Sequence, residues 1–463
     1  MLGAPALERG YWGVLIRSLA NNDTLYAMNA RKLMMPASAL KTVTLAAAAE
    51  RLGWDYTYET QIVAEAPVHE GTVEGDLAVL GSGDPSIDER TVASWADQLK
   101  AHGILAIAGG VVADGRAFEG HGLGFGWSWG DLPYYYAAPV SAAQFHRSAV
   151  DISISPGQAP GDPAGYELSP TGSGLVVENA IRTGPSDGPV EFVAHRFPGS
   201  PVVVLDGTVP AGGKPITRSL AVDDPAAFLA AALKEALVAR GIAVNGPATA
   251  RRDTHGNAPV GQALLSHRSA PLRVMAGTLM EVSQNQYAET LLTTMGAQAG
   301  TATPEGGLKV VEGVLASWNV PADATVLRDG SGLSRYDYIT PETLVQVLTR
   351  MHGDPRHSES FFQSLSLSGV TGTLAARMQD TAAFQKVRAK DGSMAGVRSL
   401  CGIVSTGDGE PLVFAILANN FAVPGSTITA TIDSVMVRLA AFRRTPPSER
   451  DQKGVSARAP RAR

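Results

Sequence analysis

Residues 38–52 read SALKTVTLAAAAERL, directly after Pro36-Ala37 and directly before Gly53. Alanine and leucine are strong helix formers, and glycine is a common residue just past a helix end. The stretch therefore predicts a helix that begins at Ser38 and ends at Leu52. Since residues three apart share one face of a helix, Ser38 and Lys41 are expected to lie side by side at its start.

The pair Ser38 and Lys41 has the residue types that nucleophilic catalysis requires. A serine hydroxyl is a poor nucleophile until a base removes its proton, and a desolvated lysine has a lowered pKa and can act as that base. The N–H groups and the dipole at a helix start also favour a developing oxyanion. By itself, the tetrapeptide fits equally well a helix-capping serine followed by a surface lysine.

The rest of the chain predicts helices and strands around a β-rich middle. Residues 62–263 consist of short apolar runs between glycine, proline and aspartate clusters, which are typical of short strands, with one helix at 225–239. The basic end, 443–463, has no apolar face and is predicted to be disordered. The other predicted elements are an N-terminal hairpin (12–19 and 25–28), helices (from 271, 287–295, 341–351 and 427–442) and two antiparallel strands (397–405 and 412–418).

Composition narrows the class of protein. The chain has 463 residues, enough for two or three domains at about 150 residues each. Its net charge of −6 offers no basic face for nucleic acid, and no apolar run reaches the ~18 residues of a membrane span. With a single Cys401 and no C-x-x-C or His/Cys cluster, the sequence predicts no disulfide, no metal and no cofactor.

Two further short motifs carry groups that suit a peptidase. Ser283-Gln284-Asn285 falls between two predicted helices, where Ser283 can pass protons and Asn285 can hold a substrate amide. Lys390 precedes a predicted strand and can attract a carboxylate, while Gly392 lets a substrate backbone approach the sheet. Taken singly, the first motif is also a polar helix–helix turn, and the second is an ordinary turn.

The order of the three motifs is more informative than any one of them. Acyl-serine enzymes that recognise penicillin have the motifs S-x-x-K, S-x-N and K-x-G in this order. The three motifs lie on a helix start, an interhelical turn and an edge strand, and these are the contexts predicted here. The chain resembles the class C low-molecular-mass penicillin-binding proteins, the D-alanyl-D-alanine carboxypeptidase/endopeptidase family. The segments that match the family pattern are 36–38 (PAS), 83–85 (GDP), 126–129 (GWSW), 138–141 (APVS), 283–289 (SQNQYAE), 329–334 (DGSGLS) and 369–374 (GVTGTL).

The resemblance implies an α/β (α+β) fold. A serine β-lactamase/transpeptidase-like domain, with an antiparallel sheet and helices, is expected to be interrupted by a β-rich insertion. The gap between Ser38 and Ser283, more than twice that between Ser283 and Lys390, is then the insertion. The implied parts are a discontinuous catalytic domain (1–62 and 263–442), an inserted β-rich domain (63–145 and 225–262), a second one (146–224) and the tail (443–463).

The same resemblance implies a chemical role for each motif residue. Ser38 is expected to be the acylated nucleophile and Lys41 its general base. Ser283 and Asn285 are expected to form the second catalytic element, which transfers protons and holds the substrate.

The resemblance also implies how the substrate is bound. Lys390 is expected to anchor it, and the backbone N–H group of Ser393, next to Gly392, is expected to complete an oxyanion hole with that of the nucleophile. Asp131 and Tyr136 match a region that, in some members of the family, recognises the diaminopimelate side chain of the stem peptide. A packed edge of a β-domain explains the same aromatic residues.

Enzymes of this family act on peptidoglycan stem peptides, and β-lactams are their covalent inhibitors. The resemblance therefore implies a periplasmic location, although residues 1–13 lack the basic and apolar regions of an export signal. We expect that a start assigned too late removed the upstream part of a longer leader.

Asp391 departs from the family pattern, which usually has threonine between the lysine and the glycine. An ionised aspartate about 4 Å from a substrate carboxylate costs roughly 4 kcal/mol at an effective dielectric constant near 20. Three outcomes are open. Asp391 turns toward Lys390 or an arginine and leaves the site usable, it shifts the preference toward another substrate end, or it marks an impaired enzyme.

Two other functions are compatible with these motifs. One is a serine β-lactamase or esterase on the same scaffold, which rapid turnover of a penicillin would favour. The other is a catalytically impaired cell-wall-binding protein, which the absence of any Ser38 adduct would support. Carboxypeptidase and endopeptidase reactions share one acylation step, and both stay open.

Overall fold

The computed structural model describes residues 3–251 and 261–444, which form two compact units. The N/C unit comprises Met1–Ala39 and Ile339–Arg463, and the central unit comprises Leu40–Tyr338. The predicted catalytic and inserted domains have different boundaries from these units and stay predictions. From residue 445 onward, the predicted disordered tail lies outside the described residues.

The helices agree with most of the predicted ones. No helix in the described ranges has the length and apolar character that crossing a membrane requires. The helices are α1 Lys41–Leu52, α2 Glu89–Ala101, α3 Pro225–Ala239, α4 Leu272–Glu281, α5 Asn285–Gln298, α6 Pro304–Ser317, α7 Pro341–Gly353, α8 Ser358–Gln363 and α9 Gly425–Ala441.

Many short strands alternate with these helices. They are β1 Tyr11–Ser18, β2 Thr24–Met28, β3 Glu59–Ala64, β4 Val68–His69, β5 Thr72–Val73, β6 Leu77–Leu80, β7 Ala106–Ile107, β8 Val111–Asp114, β9 Ala149–Ser155, β10 Gly165–Ser169, β11 Val176–Asn179, β12 Arg182–Gly184, β13 Glu191–His195, β14 Val202–Pro210, β15 Ile216–Ala221, β16 Ala243–Val244, β17 Ala248–Arg251, β18 Gln262–Arg268, β19 Thr325–Val326, β20 Tyr338–Ile339, β21 Ser366–Leu367, β22 Val387–Met394, β23 Val397–Ser405 and β24 Pro411–Asn419.

The N/C unit is built on one antiparallel sheet in the order β2-β1-β24-β23-β22-β21. The predicted N-terminal hairpin is the pair β1 and β2. The predicted antiparallel strands are β23 and β24, which pair from Val397 opposite Asn419 to Ser405 opposite Pro411. Both predictions are confirmed, because each hairpin is specified by a turn and two apolar runs that are close in sequence.

Helices cover both faces of this sheet. Trp12 and Val14 point to one face, where they belong to the same buried cluster as Met436 of α9. Gly13 faces the other side, where an added Cβ would lie 2.9 Å from Cγ of Pro341 at the start of α7. Since successive strand residues alternate between faces, β1 is buried on both sides and carries few polar residues.

The central unit contains a group of packed helices. Helix α1 contacts α4, α5 and α6, and its residues 41–49 are buried all round. Its run of alanines explains this burial, because small side chains allow neighbouring helices to approach from several sides. The predicted helices that begin near 271 and 287 are α4 and α5.

The remainder of the central unit is rich in short sheets, as predicted for residues 62–263. One sheet has the order β17-β8-β6-β3-β18, and α3 packs against its strands β8 and β17. Trp95, Phe145 and Phe228 are among the large side chains of the buried cluster that joins these sheets and helices. The other sheets of this region are β10-β9-β15, β16-β7-β5-β4, and β11-β14-β12 with β13 added to β14.

Helix α2 corrects one prediction, since only α3 was expected to be helical in this β-rich region. Asp88 caps the helix by accepting a hydrogen bond from the backbone N–H of Thr91 at 2.9 Å. Val92, Trp95 and Leu99 are spaced at three and four residues and are buried on one face. The capping aspartate and this spacing are both visible in the sequence. The helix was not predicted because the polar and charged residues between the apolar ones leave no continuous apolar run.

The central strand β24 should dominate the stability of the N/C unit. Phe414 has no exposed surface and belongs to the same buried cluster as Met436 of α9. We expect Phe414→Ala to lower the free energy of unfolding by about 3–5 kcal/mol, measured by urea denaturation. Tyr26→Ala, at a side chain that is 40% exposed on β2, should cost less than about 1 kcal/mol, and equal losses would contradict this packing.

Candidate active site

Ser38 lies in a tight turn that leads directly into the buried helix α1. The turn is the 3-10 segment Ala37–Leu40, and the α-helix begins at Lys41 rather than at Ser38 as predicted. Ala37 has a φ of 47°, a left-handed conformation that is unfavourable for a residue with a Cβ. The Ser399 hydroxyl on β23 donates to the Pro36 carbonyl at 2.6 Å, so tertiary contacts hold the strained turn.

Lys41 is fully buried at the start of α1. Its Nζ donates to Asn285 Oδ1 at 2.6 Å and to the Ser331 carbonyl oxygen at 2.8 Å. These two acceptors are uncharged oxygens, and they fix the orientation of the amine. The sequence predicted that Lys41 and Asn285 both belong to the catalytic site, and the structure brings the two side chains into contact.

Asn285 connects Lys41 to a second segment of the central unit. As the first residue of α5, it donates from Nδ2 to the Tyr136 carbonyl at 2.7 Å while Oδ1 accepts from Lys41. Ser283 lies in the turn between α4 and α5, as predicted, with a φ of 60°. Two positions of the motifs, Ala37 and Ser283, therefore share a backbone conformation that is rare for residues other than glycine.

Asp131 and Tyr136 also lie together. The Tyr136 hydroxyl donates to Asp131 Oδ1 at 3.0 Å, and burial together with this carboxylate raises the pKa of Tyr136. The Tyr136 ring stacks on Tyr134 with centroids 5.6 Å apart. Trp127 donates from Nε1 to Asp329 Oδ2 at 2.8 Å, which fixes this aromatic segment to the loop that binds Lys41.

Buried carboxyl groups hold that loop, residues 329–334. Glu289 Oε1 accepts from the backbone N–H of Ser331 at 2.7 Å, and both its oxygens accept from Gly330 N–H at 3.1 and 3.0 Å. Asp329 accepts from the N–H groups of Gly332 and Ser334 at 2.6 and 2.7 Å. These bonds orient the Ser331 peptide so that its carbonyl faces Lys41.

Strand β22 carries the third motif. From Lys390 to Met394 the outer edge of β22 has no strand partner among the described residues, because β21 pairs only with Arg388 and Ala389. Lys390 is fully buried. An added Cβ on Gly392 would lie 2.7 Å from the Pro36 carbonyl oxygen and 2.9 Å from the Ser38 nitrogen, so only glycine allows this close approach to the nucleophile.

Asp391 turns toward Lys390, which is the orientation described in the first of the three outcomes left open by the sequence. That the site remains usable stays a prediction. Asp391 Oδ1 accepts from Lys390 Nζ at 2.9 Å and from the Thr373 hydroxyl at 2.6 Å. Arg377 Nη1 lies 3.9 Å from Oδ2. Burial favours the protonated acid, but Lys390, Thr373 and Arg377 outweigh it and lower the pKa of Asp391 to about 2.

Four residues of this region were not singled out from the sequence, namely Glu289, Ser331, Thr373 and Arg377. The first three lie in segments that match the family pattern, and that was the signal available for them. Ser331 acts through its backbone carbonyl, a group that every residue has. The contacts of Thr373 and Arg377 with Asp391 arise only when 372–377 folds next to β22.

The fold and the three motifs define the class of acyl-serine enzymes that recognise penicillin. The D-Ala-D-Ala carboxypeptidase 3 (S13) family matches residues 1–442, so the chain belongs to this family. It is a serine-type D-Ala-D-Ala carboxypeptidase of the penicillin-binding carboxypeptidase/endopeptidase group, as the sequence predicted. The predicted roles of individual site residues stay predictions.

Relatives and solved structures agree with this assignment. The chain is 34% identical over 459 residues to a D-alanyl-D-alanine carboxypeptidase from Actinomadura sp. (strain R39), covering 96% of this chain and 83% of that protein. It is 26% identical to a D-alanyl-D-alanine carboxypeptidase from Haemophilus influenzae, over 89% of this chain and 85% of that protein.

The fold matches that of penicillin binding protein 4 from Haemophilus influenzae. The TM-score is 0.84 at 24% identity, over 94% of this chain and 97% of that one. That protein has also been solved in complex with a β-lactam, a structure that matches with a TM-score of 0.77. The predicted α/β fold with a transpeptidase/β-lactamase-like domain is confirmed.

The contact between Gly392 and the nucleophile turn gives a first test. In Gly392→Ala the new methyl group would press on Ser38 N and Pro36 O, so we expect acylation by a fluorescent penicillin to slow by about tenfold or more. Gly165→Ala, on β10 with no atom within 4 Å of the added Cβ, is the control and should label at the wild-type rate. Equal rates for both variants would contradict the close approach.

The buried Glu289 gives a second test, because burial and the neighbouring Asp329 raise its pKa from 4.5 to about 8. Between these values the folded protein keeps a proton that the unfolded chain has released. The contribution of Glu289 to stability is therefore complete below about pH 4.5 and declines as the pH rises to about 8. We expect the free energy of unfolding of the wild type to fall by roughly 1 kcal/mol per pH unit over this range because of Glu289. In Glu289→Gln this fall should be absent, as measured by urea unfolding at several pH values.

The control for this titration is Glu312→Gln, at an exposed position of α6. It should keep the wild-type dependence of stability on pH. If Glu289→Gln shows the same slope as Glu312→Gln, Glu289 does not hold the extra proton.

Proposed function

We propose that this chain is a periplasmic peptidoglycan peptidase that cleaves the D-alanyl bond of stem peptides through an acyl-serine intermediate. It acts as a D,D-carboxypeptidase or a D,D-endopeptidase, according to the residue that leaves. The observation that carries the proposal is the buried Lys41 amine, three residues beyond Ser38 along a tight turn and held by neutral oxygens of Asn285 and Ser331. An amine in such a setting is suited to accept a proton.

In the acylation step, Ser38 Oγ attacks the carbonyl carbon of the D-alanyl residue and its proton passes to Lys41. A bond forms between Oγ and that carbon, and a tetrahedral oxyanion results. The bond from this carbon to the leaving nitrogen then breaks. The proton taken from Ser38 reaches that nitrogen, with Ser283 as the relay, and a free amine departs.

The oxyanion is stabilised by the backbone N–H groups of Ser38 and Ser393. The first belongs to the turn that Ser399 holds in place, and the second follows Gly392 on the open edge of β22. Removing one such donor typically lowers kcat by about a hundredfold or more. The substrate backbone extends along the same open edge, where main-chain groups can pair with it.

Other residues orient the stem peptide. Asn285 holds a substrate amide, and Lys390 contacts the group that follows the scissile bond. Asp131 binds the ammonium of a diamino-acid side chain beside the wall that Tyr136 supplies. The raised pKa of Tyr136 keeps its hydroxyl neutral, so this group can donate to the Asp131 carboxylate and leave the other carboxylate oxygen for the ammonium.

Deacylation transfers the acyl group to water and regenerates Ser38. A β-lactam presents a strained amide to the same serine and forms a long-lived acyl-enzyme, which makes it a covalent inhibitor. The Haemophilus influenzae relative has been solved in complex with a β-lactam, which supports this part of the proposal.

The test uses the purified protein with a fluorescent penicillin and with muropeptides. We expect a stable covalent label and release of D-alanine or of a cross-linked partner, while Ser38→Ala loses both by at least about a thousandfold. Ser18→Ala, a buried serine on β1, is the matched control and should label normally. A label that persists in Ser38→Ala would refute the nucleophile, and rapid penicillin turnover would instead indicate a β-lactamase.

A further inference from the structure

Within the described ranges, Arg398 on β23 has no carboxylate partner. Its Nη1 donates to the backbone carbonyls of Met394 and Val397 at 2.9 and 2.7 Å. Its guanidinium also lies over the ring of Phe421, 6.0 Å from the centroid. These neutral contacts hold the side chain in place, and they leave the N–H groups of Nε and Nη2 for a ligand.

Arg398 borders a cavity next to the third motif. The cavity has a volume of about 550 Å³ and is also bordered by Gly392 and Ser393 of β22 and by residues of α9. Ser393 and Arg398 are direct partners across the antiparallel strands β22 and β23, so their side chains point to the same face of the sheet. A group bound at Ser393 is therefore within reach of the guanidinium, because the Cβ atoms of such partners are about 5 Å apart.

The other charged side chains that border this cavity are already paired. Asp433 accepts from Arg377 at 2.6 Å, and Asp391 accepts from Lys390 at 2.9 Å and lies 3.9 Å from Arg377 Nη1. With a pKa lowered to about 2, Asp391 is ionised and has no N–H or O–H to donate. Arg398 is therefore the cation of this cavity that remains for an anionic ligand.

Helix α9 supports the binding of an anion at the same place. Its first turn contains Ser426, which borders the cavity, and it has no acidic residue and no side-chain cap. The N–H groups and the dipole at a helix start favour negative charge. The side chains of Ser393, Ser426 and Thr429 add hydroxyl groups to the border of the cavity.

The cavity also lies close to the reacting bond. An added Cβ on Gly392 would be 2.9 Å from the Ser38 nitrogen, and the N–H group of Ser393 binds the scissile carbonyl oxygen in the proposed reaction. The leaving residue begins one peptide bond beyond that carbonyl. Since consecutive Cα atoms are about 3.8 Å apart, its α-carboxyl group has to lie within a few ångströms of Ser393. The long side chain of Arg398, directly opposite Ser393, can span this distance.

We propose that Arg398 binds the α-carboxylate of the leaving residue and makes the enzyme prefer substrates in which this group is free. A guanidinium can donate two parallel N–H bonds to a carboxylate, and an uncharged carboxamide loses the charge-assisted part of this interaction. Position 391, where the family pattern usually has threonine, offers a carboxylate without a donor, and Arg398 supplies the anchor instead. This inference rests on the proposed D,D-peptidase function and adds a residue that determines its specificity.

The experiment compares a pentapeptide muropeptide that ends in D-alanyl-D-alanine with the same molecule ending in D-alanine amide. Release of D-alanine or D-alanine amide is measured by mass spectrometry to give kcat and KM for each. We expect the wild type to prefer the free acid, and Arg398→Gln to lower kcat/KM for the acid by about tenfold or more, mainly through KM. The amide should change by less than about twofold, which also shows that the variant is folded. Arg398→Lys keeps the positive charge and should recover part of the preference.

The matched control is Arg438→Gln, at an exposed arginine in the last turn of α9. It should leave kcat/KM for both substrates within about twofold of the wild type. If Arg398→Gln changes the acid and the amide by the same factor, or changes neither, Arg398 does not bind the carboxylate. Cleavage and penicillin labelling by the wild type would then still support the proposed function, whereas a wild type that shows neither overturns both.

Discussion

The buried amine of Lys41 and its two neutral acceptors form the interaction on which the central unit's part of the site depends. Helix α1 supplies the donor, Asn285 at the start of α5 supplies one oxygen, and the loop 329–334 supplies the other. A buried donor or acceptor left without a partner costs about 1–3 kcal/mol, and more when it is charged. The three elements are therefore held in one arrangement, and this arrangement fixes the position of the Lys41 amine.

Two carboxyl groups, the buried Glu289 and the partly buried Asp391, are used in opposite ways. Glu289 binds backbone N–H groups of Gly330 and Ser331, and its burial beside Asp329 raises its pKa, so the loop is held with little added negative charge. Asp391 instead lies against Lys390 and stays ionised. The first arrangement leaves Lys41 in contact with neutral oxygens, and the second pairs the cation on β22 with a carboxylate.

The fold could be predicted where the signals were local. The helix at 225–239 and the hairpin of β23 and β24 follow from periodicity and turn residues, and the structure has both with nearly the predicted bounds. Helix α2 was missed because polar and charged residues separate its apolar residues along the chain, although the apolar ones share one buried face. Helix α1 begins at Lys41 and not at Ser38, since the turn before it depends on the contact of Ser399 with Pro36, which is distant in sequence.

The sequence by itself determined the family and the residue types of the site, because the spacing of Ser38 and Lys41, the S-x-N turn and the position of Gly392 are short-range patterns. Only the tertiary structure decided which oxygens accept from Lys41 and which way Asp391 turns. One of those oxygens is a backbone carbonyl, and the partners of Asp391 include Thr373 from another part of the chain. Such contacts depend on how remote segments pack, and no local pattern of residues specifies them.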